Sequence, residues 1–276
     1  MFSVEKIRKI HFIGICGTAM ASLAAMLKDR GYEVSGSDEG VYPPMSDFLA
    51  RKEIRVIEGY NLRNLNPEPD LAVVGNALSR GNPEIEYLLN FRIPYASLPE
   101  AVKTFFLRDR IPVVVTGTHG KSTTTAMIAW GLHCAGHRPD FLVGGVAENF
   151  DSSYGLGGGR HFVIEGDEYD SAFFDKGPKF MHYLPQVAVL GNVEYDHADI
   201  YPTLDSLRLQ FARFVNLIPE RGFLAVGSES PVAAELTSKV FCMKESADEA
   251  RHDRRLQHPE RAGSHGGPPP PGPRGG

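Results

Sequence analysis

One segment restricts the possible folds more than any other: three consecutive valines at residues 113–115, followed at once by a glycine-containing loop and a helix. An apolar β-branched run of this kind is typical of a strand that is buried on both faces of a parallel sheet. The loop contains Gly117 and Gly120, and we predict the helix over residues 122–135. Backbone N–H groups in such a loop, together with the positive end of the helix dipole, bind phosphate. The segment therefore predicts an α/β fold with a phosphate site at the carboxyl end of a parallel strand.

The loop carries the side chains that a nucleoside triphosphate requires. Lys121 supplies a positive charge for the β- and γ-phosphates, and the Ser122 hydroxyl is placed to bind Mg²⁺. The spacing departs from G-x-x-x-x-G-K-S/T, because Val115 occupies the position of the first glycine. We predict that ATP is bound by Gly117, Thr118, His119, Gly120, Lys121, Ser122 and Thr123. A glycine turn with a solvated lysine is the alternative.

Polar side chains follow two more apolar runs, at residues 162–164 and 187–190. Glu165 comes directly after the first run, and Asn192 and His197 follow the second. In an open parallel sheet, ligands bind outside the carboxyl ends of the strands. Since Mg²⁺ prefers oxygen ligands, we predict Glu165 as a metal ligand and His197 as a ligand of a second metal or a partner of a phosphate oxygen. The alternative for Glu165 is an exposed acid at the end of a strand, and the alternative for His197 is a polar capping residue.

Three further acids come soon after Glu165, at Asp167, Glu168 and Asp170. At these positions the three acids are candidates for further ligands of the metal. They fit a solvated acidic turn equally well.

Another glycine turn, which we call the first glycine turn because it comes earlier in the sequence, lies near the start of the chain. Gly14 and Gly17 stand between a predicted strand and a predicted helix, and Asp38 ends the next predicted strand. This βαβ unit resembles a dinucleotide site, in which the acid contacts a ribose, although G-x-x-G is weaker than G-x-G-x-x-G. An NAD site and a site for a nucleotide attached to the substrate both remain possible.

The element pattern divides the chain into three parts. We predict an N-terminal Rossmann-like domain over residues 1–105 and a P-loop, doubly wound central domain, incomplete at its end, over residues 106–245. Residues 246–276 contain no Val, Ile, Phe, Tyr, Trp or Met and are rich in Gly and Pro. Such a segment cannot bury enough apolar surface to fold, so we predict a disordered tail.

Composition excludes several classes of partner. The formal net charge is −5, which argues against a nucleic-acid-binding protein. No apolar stretch approaches the ~20 residues of a membrane-spanning helix. Residues 1–8 mix acidic and basic side chains with no long apolar run behind them, unlike a signal peptide. We therefore expect a cytoplasmic protein without a membrane partner.

Several longer motifs together resemble the Mur ligase family over roughly residues 8–240. They are Gly-Ile-Cys-Gly-Thr at 14–18, Val-Tyr-Pro-Pro-Met-Ser at 41–46, Gly-Asn-Ala at 75–77, Arg-Gly-Asn-Pro at 80–83, Gly-Thr-His-Gly-Lys-Ser at 117–122, Glu-Gly-Asp-Glu-Tyr-Asp-Ser-Ala-Phe-Phe-Asp-Lys at 165–176 and Glu-Tyr-Asp-His-Ala-Asp at 194–199. The likeness is greatest to the branch that joins UDP-N-acetylmuramate to the tripeptide L-alanyl-γ-D-glutamyl-meso-diaminopimelate in peptidoglycan recycling. The branch that adds L-alanine to UDP-N-acetylmuramate is the alternative.

The resemblance implies a role for each site. Gly14, Gly17 and Asp38 would lie near the uridine diphosphate of the substrate, whereas the central loop would hold ATP. The resemblance further implies Mg²⁺ bound by Ser122, Glu165 and His197, and catalysis by Lys121, Asn192 and His197. The muramate carboxylate would take the γ-phosphoryl group of ATP, and the tripeptide amine would attack the resulting acyl phosphate.

The family has a third domain that binds the incoming amino acid or peptide, and the likeness fades near residue 239. We therefore expect negligible ligase activity from these 276 residues alone, because closure over ATP would be missing. A nucleotide-binding fragment without catalysis is one alternative. A P-loop kinase, or a dehydrogenase using the first glycine turn, is another.

Overall fold

The computed structural model describes residues 4–194 and 200–246, which form two mainly parallel sheets flanked by helices. This arrangement confirms the predicted α/β class. Ser246, the first residue of the predicted tail, still belongs to a strand, and residues 247–276 lie outside the described residues. Among the described residues, none of the helices combines the length and the apolar character needed to span a bilayer.

The first sheet has five parallel strands in the order β3-β2-β1-β4-β5. In chain order its elements are β1 (Lys9–Ile13), α1 (Thr18–Asp29), β2 (Glu33–Asp38), α2 (Met45–Arg51), β3 (Arg55–Glu58), β4 (Leu71–Val74), α3 (Pro83–Phe91), β5 (Tyr95–Ser97) and α4 (Leu98–Val102). The order places β1 at the centre, with its carboxyl end beside the first glycine turn. The predicted βαβ unit is confirmed.

Local sequence explains where the helices of this sheet begin. Asn82 caps α3 by accepting hydrogen bonds from the next turn, and Pro83 occupies the first turn, where its missing N–H costs nothing. The sequence pattern also predicts a helix over residues 99–107, and this prediction is only partly right. After α4 the chain continues as a π-helical turn, Lys103–Leu107, whose Phe105 and Phe106 are buried. Both rings are buried at the point where the helix changes from α to π geometry, and apolar periodicity does not predict that change.

The second sheet has seven strands in the order β14-β13-β12-β6-β9-β7-β8. Its elements, with one hairpin outside the sheet (β10 and β11), are β6 (Ile111–Thr116), α5 (Lys121–Cys134), β7 (Asp140–Ala147), β8 (Ser152–Leu156), β9 (His161–Glu165), β10 (Asp170–Ala172), β11 (Asp175–Pro178), β12 (Val187–Leu190), α6 (Leu204–Val215), β13 (Phe223–Val226), α7 (Pro231–Leu236) and β14 (Met243–Ser246). Within this sheet, as far as the structure describes the chain, only the β7–β8 pair is antiparallel. The valine run is buried in this sheet, as predicted, and its strand β6 is the central one of the seven.

The apolar spacing of Leu207, Phe211, Phe214 and Ile218 predicts a helix over residues 204–218, but the helix ends earlier, at Val215. Thr203 caps its start, and Leu207, Phe211 and Phe214 are buried on one stripe. Ile218 lies beyond the helix and is also buried, so the apolar position is right although the helix is shorter.

The two sheets share one hydrophobic core. Helix α1 of the first sheet packs against β7 and β8 of the second, and one cluster of buried side chains extends through both. Polar contacts cross the same boundary: the Ser22 and Ser153 hydroxyls are 2.7 Å apart, and the Tyr154 hydroxyl donates to Asp29 at 2.7 Å. The relative position of the two sheets is therefore set by packing as well as by chain connectivity.

Candidate functional site

The phosphate loop connects the carboxyl end of β6 to the start of α5. Gly117 has φ +129°, and a Cβ atom there would lie 3.0 Å from the Asn192 carbonyl oxygen and 3.2 Å from the Gly191 backbone. Gly120 has φ +75° and immediately precedes α5, with open space around it. These two positions require glycine for different reasons, close approach at the first and a left-handed turn at the second. The turn leaves the first N–H groups of α5 without partners inside the helix, as a phosphate site needs.

Lys121 lies at the base of this loop and is mostly buried. Its ammonium group donates to the carbonyl oxygens of Gly117 and Thr118 at 2.9 and 3.2 Å. It also contacts both oxygens of the Glu168 carboxylate, at 2.9 and 3.1 Å. Glu168 is only 1% exposed, so it is not part of a solvated acidic turn. A buried carboxylate of this kind is tolerable because a cation faces it.

Ser122 and Glu165 meet in front of the loop. The Ser122 hydroxyl donates to a Glu165 carboxylate oxygen at 2.6 Å, across 43 positions of sequence. Register explains the meeting: Glu165 ends β9 opposite Val115 of the neighbouring β6, so both chains leave the sheet at the same edge. A hydroxyl and a carboxylate are suitable donors for Mg²⁺.

The Ser122 hydroxyl and the Glu165 carboxylate suit Mg²⁺ better than a metal ion whose ligands all come from the protein. Within residues 4–194 and 200–246, no three His, Cys, Asp or Glu side chains cluster closely enough to enclose an ion. Mg²⁺ is usually bound by one or two protein groups together with substrate phosphates and water. Ser122 and Glu165 beside a phosphate loop match that pattern.

A third strand end completes the site. Asn192 follows β12. Its backbone carbonyl accepts a hydrogen bond from the Thr118 N–H at 2.8 Å, and its side-chain oxygen accepts one from the His119 N–H at 3.1 Å. The neighbouring Glu194 N–H donates to the Thr118 hydroxyl at 2.9 Å. Asn192 therefore braces the loop. The other predicted residue of this segment, His197, lies outside the described residues.

A cleft of about 410 Å³ opens beside the loop. Its lining includes the polar residues Ser122, Thr123, Glu148 and Asn149 and the apolar side chains of Met127, Val146 and Phe150. Among the ATP-site residues predicted from sequence, Thr123 thus faces this cleft, whereas Lys121 points toward Glu168. A phosphate group bound at the loop would lie next to a space large enough for a second reactant.

The first glycine turn is held together by Asp38. Its carboxylate accepts from the Cys16 N–H at 2.8 Å and from the Gly40 N–H at 2.9 Å. The Gly14 N–H donates to the Ser37 carbonyl at 2.9 Å, and Gly17 caps the start of α1. The structure therefore brings Gly14, Gly17 and Asp38 to one edge of the first sheet. In the observed arrangement Asp38 braces the backbone of the turn.

Two pKa shifts mark the electrostatics of these edges. Burial, followed by the nearby Asp38 carboxylate, raises the pKa of the Cys16 thiol to about 11, so this thiol is uncharged at neutral pH. Burial also raises the pKa of Tyr183, with Asp167 and Glu165 adding to the effect. Burial is the larger cause in both cases, and the neighbouring carboxylates add to it.

Glu168 is the site residue that the sequence pattern least revealed. In the sequence, Glu168 looks the same as its acidic neighbours. In the structure those neighbours pair with other lysines, Asp167 with Lys179 at 2.7 Å and Asp170 with Lys176 at 3.1 Å. Only its burial against Lys121 separates it from them. Spacing from Glu165 gives no such signal, because the segment between them is neither helix nor strand.

Comparison with known protein families gives two matches that together span most of the chain. The profile described as "Mur ligase family, catalytic domain" matches residues 9–110, and that described as "Mur ligase middle domain" matches residues 115–255.

Individual relatives are also similar. The Escherichia coli K12 protein named UDP-N-acetylmuramate–L-alanyl-γ-D-glutamyl-meso-2,6-diaminoheptandioate ligase is 46% identical over 237 residues, which are 86% of this chain and 52% of that protein. The Clostridium acetobutylicum UDP-N-acetylmuramate–L-alanine ligase is 33% identical over 85% of this chain and 49% of its own length. The crystal structure of UDP-N-acetylmuramate:L-alanyl-γ-D-glutamyl-meso-diaminopimelate ligase from Neisseria meningitides superposes with a TM-score of 0.82 and 41% identity, covering 87% of this chain and 78% of that one. The chain spans about half the length of the curated relatives it matches.

Proposed function

We propose, from the premise that the chain belongs to the Mur ligase family, that it provides the nucleotide-binding and UDP-sugar-binding parts of an ATP-dependent ligase. The acid substrate is UDP-N-acetylmuramate and the amine is the tripeptide L-alanyl-γ-D-glutamyl-meso-diaminopimelate. The choice of tripeptide over L-alanine is supported by 46% identity to a ligase named for the tripeptide, against 33% for one named for alanine. The proposal includes a cytoplasmic location.

The observation that carries this proposal is the meeting of Ser122 and Glu165 at 2.6 Å beside the Lys121 loop. One hydroxyl, one carboxylate and one ammonium group converge where a buried strand meets a helix N-terminus. Mg²⁺ held by Ser122 and Glu165, with His197 as a further ligand, would neutralise charge on the phosphates. Lys121 would contact the β- and γ-phosphates after exchanging a loop carbonyl for a phosphate oxygen.

The overall reaction balances as carboxylate, amine and ATP giving amide, ADP and phosphate. The carboxylate oxygen bonds to the γ-phosphorus as the bond to ADP breaks, and the amine nitrogen then bonds to the carbonyl carbon as phosphate leaves. Such chemistry needs positioning and charge neutralisation more than a protein nucleophile. Asn192 contributes by bracing the loop through the Thr118 and His119 N–H groups.

The first glycine turn is proposed as the uridine-diphosphate site. Gly17 caps α1, and the first N–H groups of that helix suit a diphosphate, whereas Gly14 shapes the turn while its own N–H pairs with the Ser37 carbonyl. Asp38 would serve by holding the turn through the Cys16 and Gly40 N–H groups. The same geometry would accept NAD, so the choice rests on family membership.

Calorimetry with Mg²⁺ and ATP tests the nucleotide site. Lys121→Ala should weaken ATP binding about 10- to 150-fold, the equivalent of the 1.5–3 kcal/mol of a hydrogen bond to a charged group. Its affinity for UDP-N-acetylmuramate should be unchanged. Lys239→Ala, at an exposed lysine far along the chain, is the control and should bind ATP normally. Unchanged ATP affinity in Lys121→Ala would remove the lysine from this role.

Two further assays separate the alternatives. Tight binding of NAD, with none of UDP-N-acetylmuramate, would favour a dehydrogenase. Phosphate release from ATP that requires both UDP-N-acetylmuramate and the tripeptide would assign the whole reaction to these 276 residues. Binding of both ligands without phosphate release would assign them to binding alone.

A further inference from the structure

The segment that follows Glu165 leaves the second sheet and ends against the first. Its central part is the β10–β11 hairpin, whose strands pair from Asp170 to Pro178. Ser171 donates through its hydroxyl to the Gly177 carbonyl at 2.9 Å, and His182 contacts Asp175 at 2.6 Å. These two hydrogen bonds hold the strands of the hairpin together and attach the hairpin to the turn that follows it.

The tip of this hairpin, Phe173 and Phe174, packs on the α3 side of the first sheet. Phe173 lies with Val74, Leu88 and Tyr95 around one small apolar slot. Phe174 meets Tyr95 edge to face, with ring centroids 4.9 Å apart. We call these two side chains the aromatic clasp. They lie on the first sheet, although they belong to the segment that starts in the second.

The segment that leads into the hairpin contacts the end of the phosphate loop. Glu165 accepts from Ser122 and Glu168 pairs with Lys121, while Asp167 ties the same segment to Lys179, just after β11, at 2.7 Å. Glu168 and Phe173 are separated by only four residues. The clasp therefore connects the first sheet to the nucleotide site by a short, braced path.

The first sheet is consequently held on both of its faces. Helix α1 covers one face and contacts the second sheet through Ser22 and Asp29. The clasp contacts the opposite face, where Val74 leads directly into Gly75 beside the first glycine turn. Loss of the clasp would leave the α1 contact in place, so the chain should stay folded while the alignment of the two sites loosens.

We infer that Phe173 and Phe174 are positioning residues, which hold the UDP-sugar site and the nucleotide site in the alignment that one reaction across both requires. The inference rests on the proposed function for its ligands. Two apolar rings filling a slot resist sliding and rotation between the sheets, because any shift opens a cavity. Because the clasp aligns the two sites before any ligand binds, each ligand should bind almost independently of the other. Without the clasp, the first ligand would have to align the sites and the second would benefit, so coupling between the two ligands should appear.

The test compares the 276-residue chain with the double variant Phe173→Ala/Phe174→Ala. The first readout is the ratio of ATP affinities with and without saturating UDP-N-acetylmuramate, measured by calorimetry in Mg²⁺. We expect a ratio near one for the unmodified chain and a ratio of about five or more, at the low end of typical coupling, for the variant. Phe173→Leu/Phe174→Leu, which keeps apolar volume, should bring the ratio part of the way back toward one. Phe91→Ala, at an aromatic of α3 that packs on Tyr87 and is 62% exposed, is the matched control and should keep the ratio near one.

The second readout needs no ligand. Hydrogen exchange should rise in the variant at residues 165–178 and 117–122 while staying unchanged within α1. If the variant keeps both the coupling ratio and the exchange rates of the unmodified chain, the inference is wrong. If the unmodified chain binds neither ligand, the proposed function fails, and the exchange data alone decide for or against the clasp.

Discussion

Three glycine-to-alanine substitutions in one loop-and-helix unit should change stability by different amounts and in different directions. Gly117→Ala places a methyl group 3.0 Å from the Asn192 carbonyl oxygen and forces a φ of +129° on an alanine. The backbone term costs about 1–3 kcal/mol and the overpacking about 1–3 kcal/mol. Because the opposing atoms are backbone, neither cost can be relieved by a side-chain rotation. We expect a loss of about 2–6 kcal/mol in the free energy of unfolding.

The two comparison variants isolate these costs. Gly120→Ala keeps a left-handed backbone but meets open space, so it should cost about 1–2 kcal/mol. Gly131→Ala lies in the exposed interior of α5, again with open space, and should stabilise by up to about 1 kcal/mol because alanine is the better helix former.

Urea denaturation followed by tryptophan fluorescence measures all three. The only tryptophan, Trp130, lies on α5 and packs edge to face on Phe150 at 5.3 Å, so it reports on this unit. The expected order of stability is Gly131→Ala, the unmodified chain, Gly120→Ala and Gly117→Ala. A Gly117→Ala chain as stable as the unmodified one would refute the close-approach argument.

Three other predictions concern single contacts. Ser122→Ala should remove most of the Mg²⁺ dependence of ATP binding, whereas Ser122→Thr should keep it. Calorimetry with and without Mg²⁺ measures this dependence, and an equal dependence in all three forms would count against the metal assignment. Burial alone would raise the pKa of Glu84, but hydrogen bonds from His11, Ser37 and others outweigh it and lower that pKa. The stabilisation is therefore present above the ordinary glutamate pKa of about 4.3 and is lost as pH falls through the lower folded value. Urea midpoints should fall less on acidification in Glu84→Gln than in the unmodified chain, and parallel curves would contradict this. Tyr154→Phe deletes the 2.7 Å hydrogen bond to Asp29 and should cost about 1 kcal/mol by urea denaturation, and no loss would mean that apolar packing alone holds that contact.

The sequence alone was informative wherever structure depends on neighbours along the chain. The valine run, the glycine loop and the helix after it were predicted because strand burial, loop conformation and helix initiation are local properties. The same holds for α3, where Asn82 and Pro83 mark the start. Glu165 was placed near the loop because parallel strands bring their carboxyl ends to one edge.

Short or irregular elements were not predicted. The antiparallel β7–β8 pair and the edge strand β14 carry glycines or exposed polar residues, so their hydrophobic pattern is weak. The π-helical turn after α4 follows from the burial of Phe105 and Phe106. In each case the stabilising contacts come from distant parts of the chain, which a local pattern does not record.

The sequence by itself determined the α/β class, the glycine loop between β6 and α5 and the identity of the side chains in that loop, because each is specified by a short run of residues. Only the tertiary structure decided that Glu168 is buried against Lys121 rather than solvated, and that Asp38 braces its own turn. It also decided that Phe173 and Phe174 cross to the other sheet. These outcomes depend on which surfaces meet when the two sheets pack, and that is a property of the whole chain.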